Sequence, residues 1–182
     1  DGTFGTSGGD AGNYEVHIWE ENEMYFIVCR NIENETIWRY KAISGSKIKF
    51  DLRGGKGGQG GDGGTGGNGR DEQNKGSKVK RAGDGGNGGD GGSGGRGGNG
   101  GNITVYIHPS AKDLQFNLEY LLYGGEGGAG GKAGLGGKPG IVKNGQVAAI
   151  KGRNGFAGIR GTSGANGSAS LFIEEFNPED FK

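Results

Sequence analysis

The sequence has little of what usually builds a core or a catalytic centre. Only 30% of its 182 residues are hydrophobic, and there are three prolines, two histidines and one cysteine. A single cysteine excludes an intrachain disulfide, and no apolar run approaches the roughly 20 residues that a membrane-spanning helix needs. The low apolar content indicates that an ordinary hydrophobic core could organise only part of the chain.

Excess charge of one sign is also missing. Lysine and arginine number 21, aspartate and glutamate number 21, and the formal net charge is zero. This balance argues against long-range attraction of the whole molecule to nucleic acid or to a membrane, and we predict neither as a partner. The chain starts at Asp1 rather than at a methionine and no signal peptide is visible in it, so we expect a processed protein or an excised domain. An extracellular or virion surface location is favoured, and the cytoplasm stays open.

Glycine is abundant, with 48 residues, and it recurs with a period of three. This period matches the extended left-handed helix with three residues per turn, in which glycine columns let bare backbones lie side by side. The predicted fold is therefore a bundle of about five antiparallel polyglycine-II helices combined with antiparallel β-strands. The five tracts, numbered first to fifth, are residues 1–12, 54–69, 83–101, 124–140 and 152–167.

The residues between the glycines predict how the tracts are arranged. In the second and third tracts they are all polar, so we expect this column to face water and these two tracts to lie centrally. The first and fifth tracts have only one glycine column and are predicted to be peripheral. In the fifth tract, Phe156 and Ile159 would then need cover from the sheet or from a partner.

Alternation of apolar and polar residues predicts strands in the remaining segments, and no amphipathic helix is evident. Residues 14–52, 102–123, 141–150 and 170–176 are the predicted β parts of a single composite domain, with an Asn144–Gly145 hairpin and a second hairpin over 103–122. Val16, Ile18, Phe26 and Val28 are expected on one face. Four aromatic residues are expected on the opposite face: Trp19, Tyr25, Trp38 and Tyr40.

The sequence does not complete any of the motifs that would indicate catalysis or cofactor binding. GxGxxG is generated by the glycine repeat itself, and no helix follows it. Asp84 and Asp90 lack the nine-residue pattern of calcium-binding repeats, and isolated Arg53 and Arg96 do not make an RNA-binding tract. His17 and His108 have no nucleophile or metal-ligand motif beside them. We predict no enzyme activity, no metal and no cofactor.

Two groups of residues are candidates for ligand binding. One is the cationic loop 70–82 with the neighbouring Lys143, which would recognise an anionic group on a glycan or a protein. The alternative for this loop is a solvated surface. The other is the aromatic face, which would stack on sugars or contact a protein, unless it packs against the tracts. The cationic candidates are Arg70, Lys75, Lys78, Lys80, Arg81 and Lys143, and the aromatic candidates are Trp19, Tyr25, Trp38 and Tyr40.

The runs GGKGGQGGDGGTGGNG and GDGGNGGDGGSGGRGGNGG resemble those of polyglycine-II sandwich proteins. Among these, the receptor-binding adhesins of T-even-type phage long tail fibres are the most similar in kind, and their connecting loops recognise the bacterial surface. GGNGGNITVYIH followed by GGEGGAGGK is also similar to glycine-rich modules of large bacterial and eukaryotic proteins. Both resemblances imply a non-enzymatic role.

The first functional hypothesis is therefore a rigid recognition or adhesion module that binds a cell-surface glycan or protein. The alternative is a structural spacer or scaffold domain within a larger protein. Ice binding, which springtail antifreeze proteins achieve with the same tract packing, is less favoured. The columns between the glycines mix lysine, aspartate, glutamate and arginine, whereas ice binding needs a weakly charged row of small residues.

Overall fold

The computed structural model describes residues 1–75, 78–143 and 147–181, with the backbone alone at 74, 75, 78 and 79. The predicted Asn144–Gly145 hairpin lies outside these residues, and no strand occurs at 141–143 or 147–150. The chain forms two compact units, each assembled from distant segments. Unit 1 comprises Asp1–Gly8, Lys56–Arg96 and Glu126–Thr162; unit 2 comprises Gly9–Gly55, Gly97–Gly125 and Ser163–Lys182.

Regular secondary structure in the described residues is mostly β-strand, and none of them is in an α-helix. Two 3-10 helices span Pro109–Asn117 and Pro178–Phe181. The strands are β1 (Asn13–Glu21), β2 (Met24–Asn31), β3 (Ile37–Ile43), β4 (Ile48–Asp51), β5 (Gln73–Lys75), β6 (Lys78–Lys80), β7 (Asn102–Ile107), β8 (Leu118–Leu121) and β9 (Ala169–Ile173).

A mixed five-stranded sheet in unit 2 has the order β3-β2-β1-β7-β9. Strands β1, β2 and β3 pair antiparallel, whereas β7 pairs parallel with both β1 and β9. A separate parallel pair joins β4 to β8. The predicted hairpin over 103–122 is therefore wrong, because β7 and β8 belong to different sheets.

The hydrophobic core lies on one face of the five-stranded sheet. Val16, Ile18, Val105 and Ile107 are completely buried there, and Leu114 of the first 3-10 helix packs against them. Burying a side chain of this size contributes about 1.5–3 kcal/mol. This small core therefore gives the sheet its main source of hydrophobic stabilisation.

The turn between β1 and β2 sets a register that the sequence alone did not give. Asn22 and Glu23 have φ of 53° and 61°, which is the conformation of a two-residue hairpin turn, and Glu21 pairs with Met24. Trp19 is consequently opposite Phe26, and Ile18 is opposite Ile27. The prediction that Phe26 and Val28 share a face with Val16 and Ile18 is wrong by one residue.

In unit 1 the glycine tracts are extended, and their hydrogen bonds recur at every third residue. The third tract is bonded to all four others: it donates to the second and fifth, and it accepts from the first and fourth. Odd-numbered tracts run parallel to one another, and even-numbered tracts run antiparallel to them. The amides of Gly86, Gly89 and Gly92, for example, donate to the carbonyls of Gly67, Gly64 and Gly61 at 2.7–2.8 Å.

Asparagine and aspartate between the glycines bind the backbone of the next tract. Three amides of unit 1 donate to side-chain oxygens 66 residues earlier: Ile150 to Asp84, Arg153 to Asn87 and Phe156 to Asp90, at 2.7–2.9 Å. Amides of Lys132 and Lys138 similarly donate to Asp62 and Asn68, 70 residues earlier. The expectation that this column only faces water is therefore incomplete, because its side chains satisfy backbone donors.

The first and fifth tracts of unit 1 are peripheral, as expected, since each is bonded to two neighbours. The cover expected for the apolar residues of the fifth tract is not found. Phe156 and Ile159 are 79% and 73% exposed.

Candidate functional site

A cleft of about 520 Å³ opens in unit 2. Its walls come from β1–β3 on one side and from β4 on the other. Tyr14, Trp38, Tyr40 and Phe50 supply aromatic surface, and Cys29 lies among the residues of the β2 wall. Burial raises the pKa of the Cys29 thiol to about 11, so this cysteine is an uncharged wall group near neutral pH.

Two of the four predicted aromatic residues belong to this cleft. Trp38 lies 6.1 Å from the ring of Tyr14 and is 37% exposed, and Tyr40 is 55% exposed. Tyr25 shares their face of the sheet but is buried in the core, where its hydroxyl accepts a hydrogen bond from the Gly45 amide. Trp19 is on the opposite face, so the prediction that all four aromatics share one surface is wrong.

Two lysines at the β4 side of the cleft share one carboxylate. Lys47 and Lys49 lie 2.7 Å and 3.7 Å from the carboxylate of Glu119, and hydrogen bonding to Lys47 lowers the pKa of that carboxyl. Asp51 likewise binds the guanidinium of Arg53. Two lysines share one carboxylate here, so this side of the cleft keeps a net positive charge.

A smaller pocket of about 310 Å³ opens on the other face of β2 and β3. Trp19, Phe26, Arg39, Lys41 and Phe181 contribute to its walls. The Lys41 ammonium lies 4.5 Å from the centre of the Phe26 ring, and Arg39 donates a hydrogen bond to the carbonyl of Phe181. The pocket thus combines aromatic surface with the two cationic side chains of Arg39 and Lys41.

His17 is enclosed by aromatic rings on this same face. It stacks on Tyr106 and Phe181, with ring centres 4.9 Å and 4.0 Å apart. Burial lowers the pKa of His17, and the nearby carboxylates of Glu15 and Glu174 offset part of this effect. The neutral imidazole is therefore the form that the folded protein favours.

We expect His17 to make the protein less stable as the pH falls from 7.5 to 5.5. Its pKa is lower in the folded state, so the unfolded chain takes up its proton first and is stabilised. The His17→Phe variant keeps an aromatic ring in the stack but has no group that can take up a proton. Urea unfolding at several pH values should show a smaller loss of stability in the variant, whereas identical slopes would exclude a role for His17.

Sequence reasoning missed a contact between Ser110, His108 and Glu175. The Ser110 hydroxyl lies 2.9 Å from His108 Nδ1, and His108 Nε2 lies 2.9 Å from the Glu175 carboxylate. The Ser110 hydroxyl also accepts from the Glu20 amide, and His108 Nδ1 accepts from the Ser110 amide. His108 is the N-cap of the first 3-10 helix, because its side chain accepts the Ser110 amide.

The cationic loop of unit 1 forms a short hairpin of β5 and β6. Lys75 is opposite Lys78, and Lys80 is opposite Gln73. Arg70, Lys80, Arg81 and Lys143 are exposed. The structure also shows what fixes the base of this hairpin: Glu72 is buried and accepts the Lys143 amide at 2.9 Å, while Asp71 accepts the Ile141 amide at 2.8 Å.

Neither a metal site nor a membrane-spanning segment emerges from the residues that can be assessed. No group of three or more histidine, cysteine, aspartate or glutamate side chains in this part of the chain could hold a metal ion. None of its helices has the length and apolar character needed to cross a membrane. Comparison with protein-family models, curated proteins and solved structures found no match to this chain.

Proposed function

We propose that the five glycine tracts are polyglycine-II helices packed as a bundle. Three observations support this assignment: hydrogen bonds recur every three residues, bonded tracts approach so closely that a Cβ on most glycines would overlap a neighbouring backbone, and the tracts are neither strand nor α-helix. Each bond contributes about 1 kcal/mol net, so stability must come from many bonds acting together.

We propose that the protein is a non-enzymatic recognition module for a glycan or protein surface. The observation that carries this proposal is the cleft of unit 2, where exposed Trp38 and Tyr40 stand on a sheet fixed by a buried core. Aromatic groups on a rigid support bind ligands without a large loss of conformational entropy. Tryptophan and tyrosine are also the residue types that dominate binding energy in many interfaces.

The hairpin of unit 1 is a second candidate for the binding site. Its cations Arg70, Lys80 and Arg81 are exposed, and two nearby carboxylates, Asp71 and Glu72, accept backbone hydrogen bonds. A phosphate or carboxylate on a surface polymer would suit this hairpin. The alternative function, a spacer or scaffold in a larger protein, requires neither site.

A binding screen with site variants tests the proposal. The protein is applied to arrays of glycans and extracellular proteins, and Trp38→Ala/Tyr40→Ala is expected to weaken binding by at least about tenfold. Phe116→Ala is the matched control, because Phe116 is 80% exposed and does not line the cleft.

Neutralising the hairpin in a second variant separates the two candidate sites. This variant carries glutamine at Lys75, Lys78, Lys80 and Arg81. If it loses binding while the cleft variant keeps it, the hairpin is the site. Absence of binding to every array would favour the scaffold function.

A further inference from the structure

Strand β3 forms one edge of the five-stranded sheet, and its side chains are unusually open to solvent. All but Ala42 of its seven residues are exposed, including Ile37, Tyr40 and Ile43 at 45%, 55% and 69%. A long edge strand with exposed apolar residues is a ready template for pairing with another strand. The edge of β3 is therefore suited to bind an extended chain.

The hydrogen-bond pattern identifies the backbone groups that face outward. Two bonds flank the pairing of β2 and β3: Asn31 donates to Thr36, and Ser44 donates to Glu23. In an antiparallel ladder, bonded residues alternate with residues whose N–H and C=O point away. Trp38, Tyr40 and Ala42 thus bond to β2, while the backbone groups of Ile37, Arg39, Lys41 and Ile43 face the open edge.

Two pockets of different chemistry flank this edge, one on each face of the sheet. Trp38 and Tyr40 project into the aromatic cleft, whereas Arg39 and Lys41 belong to the face with the smaller cationic pocket. Side chains of an added strand alternate between the two faces. A strand beside β3 would therefore place apolar side chains in the cleft and acidic side chains next to Arg39 and Lys41.

Charge distinguishes a partner peptide from a second copy of the protein. An antiparallel pair of two β3 strands centred on Tyr40 would put Arg39 of each copy opposite Lys41 of the other, which is a repulsive arrangement. The chain's own C-terminal segment shows that an oxygen acceptor can be bound by Arg39 on this face. It carries Glu179 and Asp180, and its Phe181 carbonyl accepts a hydrogen bond from Arg39.

We propose that β3 binds an extended peptide in which acidic and apolar residues alternate, by adding it to the sheet as a sixth strand. Main-chain bonds to the outward groups of Arg39 and Lys41 supply affinity, and the two pockets select the side chains. This inference rests on the proposed recognition function and specifies the partner class for the aromatic cleft.

The test uses the full chain and a fluorescent peptide, Glu-Val-Glu-Phe-Glu-Val-Glu. A peptide of the same composition with the glutamates grouped together, and one with lysine in place of glutamate, should each bind at least tenfold more weakly. Arg39→Gln/Lys41→Gln should also lose at least tenfold. N-methylation of single peptide amides should abolish binding at alternate positions only, because only every second amide faces β3.

Amide exchange by NMR gives a readout that simple surface binding would not produce. Peptide binding should slow exchange of the Arg39 and Lys41 amides and leave the already bonded Trp38 and Tyr40 amides unchanged. Lys41→Pro removes one outward donor and should weaken binding more than Lys41→Gln does. A thermal unfolding curve shows whether each variant is folded.

Three results would overturn the inference. One is peptide binding with no period in the N-methyl scan and no protection of the Arg39 amide. Another is a concentration-dependent dimer that Lys41→Pro abolishes, which would assign the edge to a second copy. The third is a glycan or protein that binds through Trp38 and Tyr40 without protecting β3, which leaves the recognition function intact. Failure of every ligand at the cleft would instead remove the cleft as the recognition site and leave the hairpin of unit 1 as the remaining candidate.

Discussion

Gly63→Ala is expected to destabilise the protein by about 3 kcal/mol or more, whereas Gly64→Ala should leave it folded and at least as stable. A Cβ on Gly63 would overlap the carbonyl oxygen of Gly89 and would lie 2.7 Å from its carbonyl carbon. A Cβ on Gly64 meets no atom within 4 Å. Neither glycine has a positive φ, so steric overlap alone separates the two variants.

Chemical unfolding of both variants measures this difference. Gly66→Ala and Gly67→Ala repeat the comparison one triplet later, because Gly66 faces the Gly86 carbonyl and Gly67 faces open space. Equal losses of stability at Gly63 and Gly64 would show that the close packing of tracts two and three does not hold in solution.

Leu114→Ala is expected to lower the free energy of unfolding by about 2–5 kcal/mol. Leu114 is completely buried against the sheet core, so its truncation leaves a cavity beside Ile18 and Ile107. Phe116→Ala, in the same 3-10 helix, is the control and should change stability little, because Phe116 is 80% exposed. Urea unfolding followed by tryptophan fluorescence measures both; similar effects would place Leu114 outside the core.

Leu114→Ala also tests whether the packing of the core affects ligand binding at the candidate site. Strand β1 packs against this helix and carries Tyr14 into the cleft, so a loosened core should also weaken any ligand that the cleft binds. Binding at a temperature where Leu114→Ala is still folded would reveal this coupling.

Strand positions were accessible from the sequence, but strand faces were not. Alternation located β1 to β4 and β7 to within one or two residues, whereas the predicted end of β9 is three residues too late. In MYFIVC, however, apolar side chains occupy both faces of β2, so pattern alone could not choose between Phe26 and Ile27 for the core. The turn at Asn22 and Glu23 fixes the register that places Ile27 in the core, and it does so through positive φ angles at two residues that are not glycine.

Alternation also misled at Leu114 and Phe116, which were predicted in a strand and lie in a 3-10 helix. The spacing of apolar residues in LQFNLEYL suits a strand, yet Pro109 and the His108 cap start a helical segment that ends only at Asn117. Such capping depends on the Ser110 amide meeting the His108 ring, which is a three-dimensional contact.

The candidate site could be predicted only in part. Trp38 and Tyr40 were identified by residue type, but the cleft exists because β4 is held by β8, about 70 residues further along the chain. Likewise, Asp84, Asn87 and Asp90 could be recognised as a polar column, and their recurrence every three residues was the visible signal. Their role as acceptors for the fifth tract needed the structure.

The constant spacing of those acceptors limits how the protein can change in length. The offset of 66 residues that joins Phe156 to Asp90 also joins Ala165 to Asn99. Deleting one or two residues inside the third tract would turn every later glycine column away from its neighbour. Removing a whole triplet, about 9 Å of extended chain, restores the columns if the facing tracts lose one too. Length variants of this protein should therefore differ in matched steps of three residues.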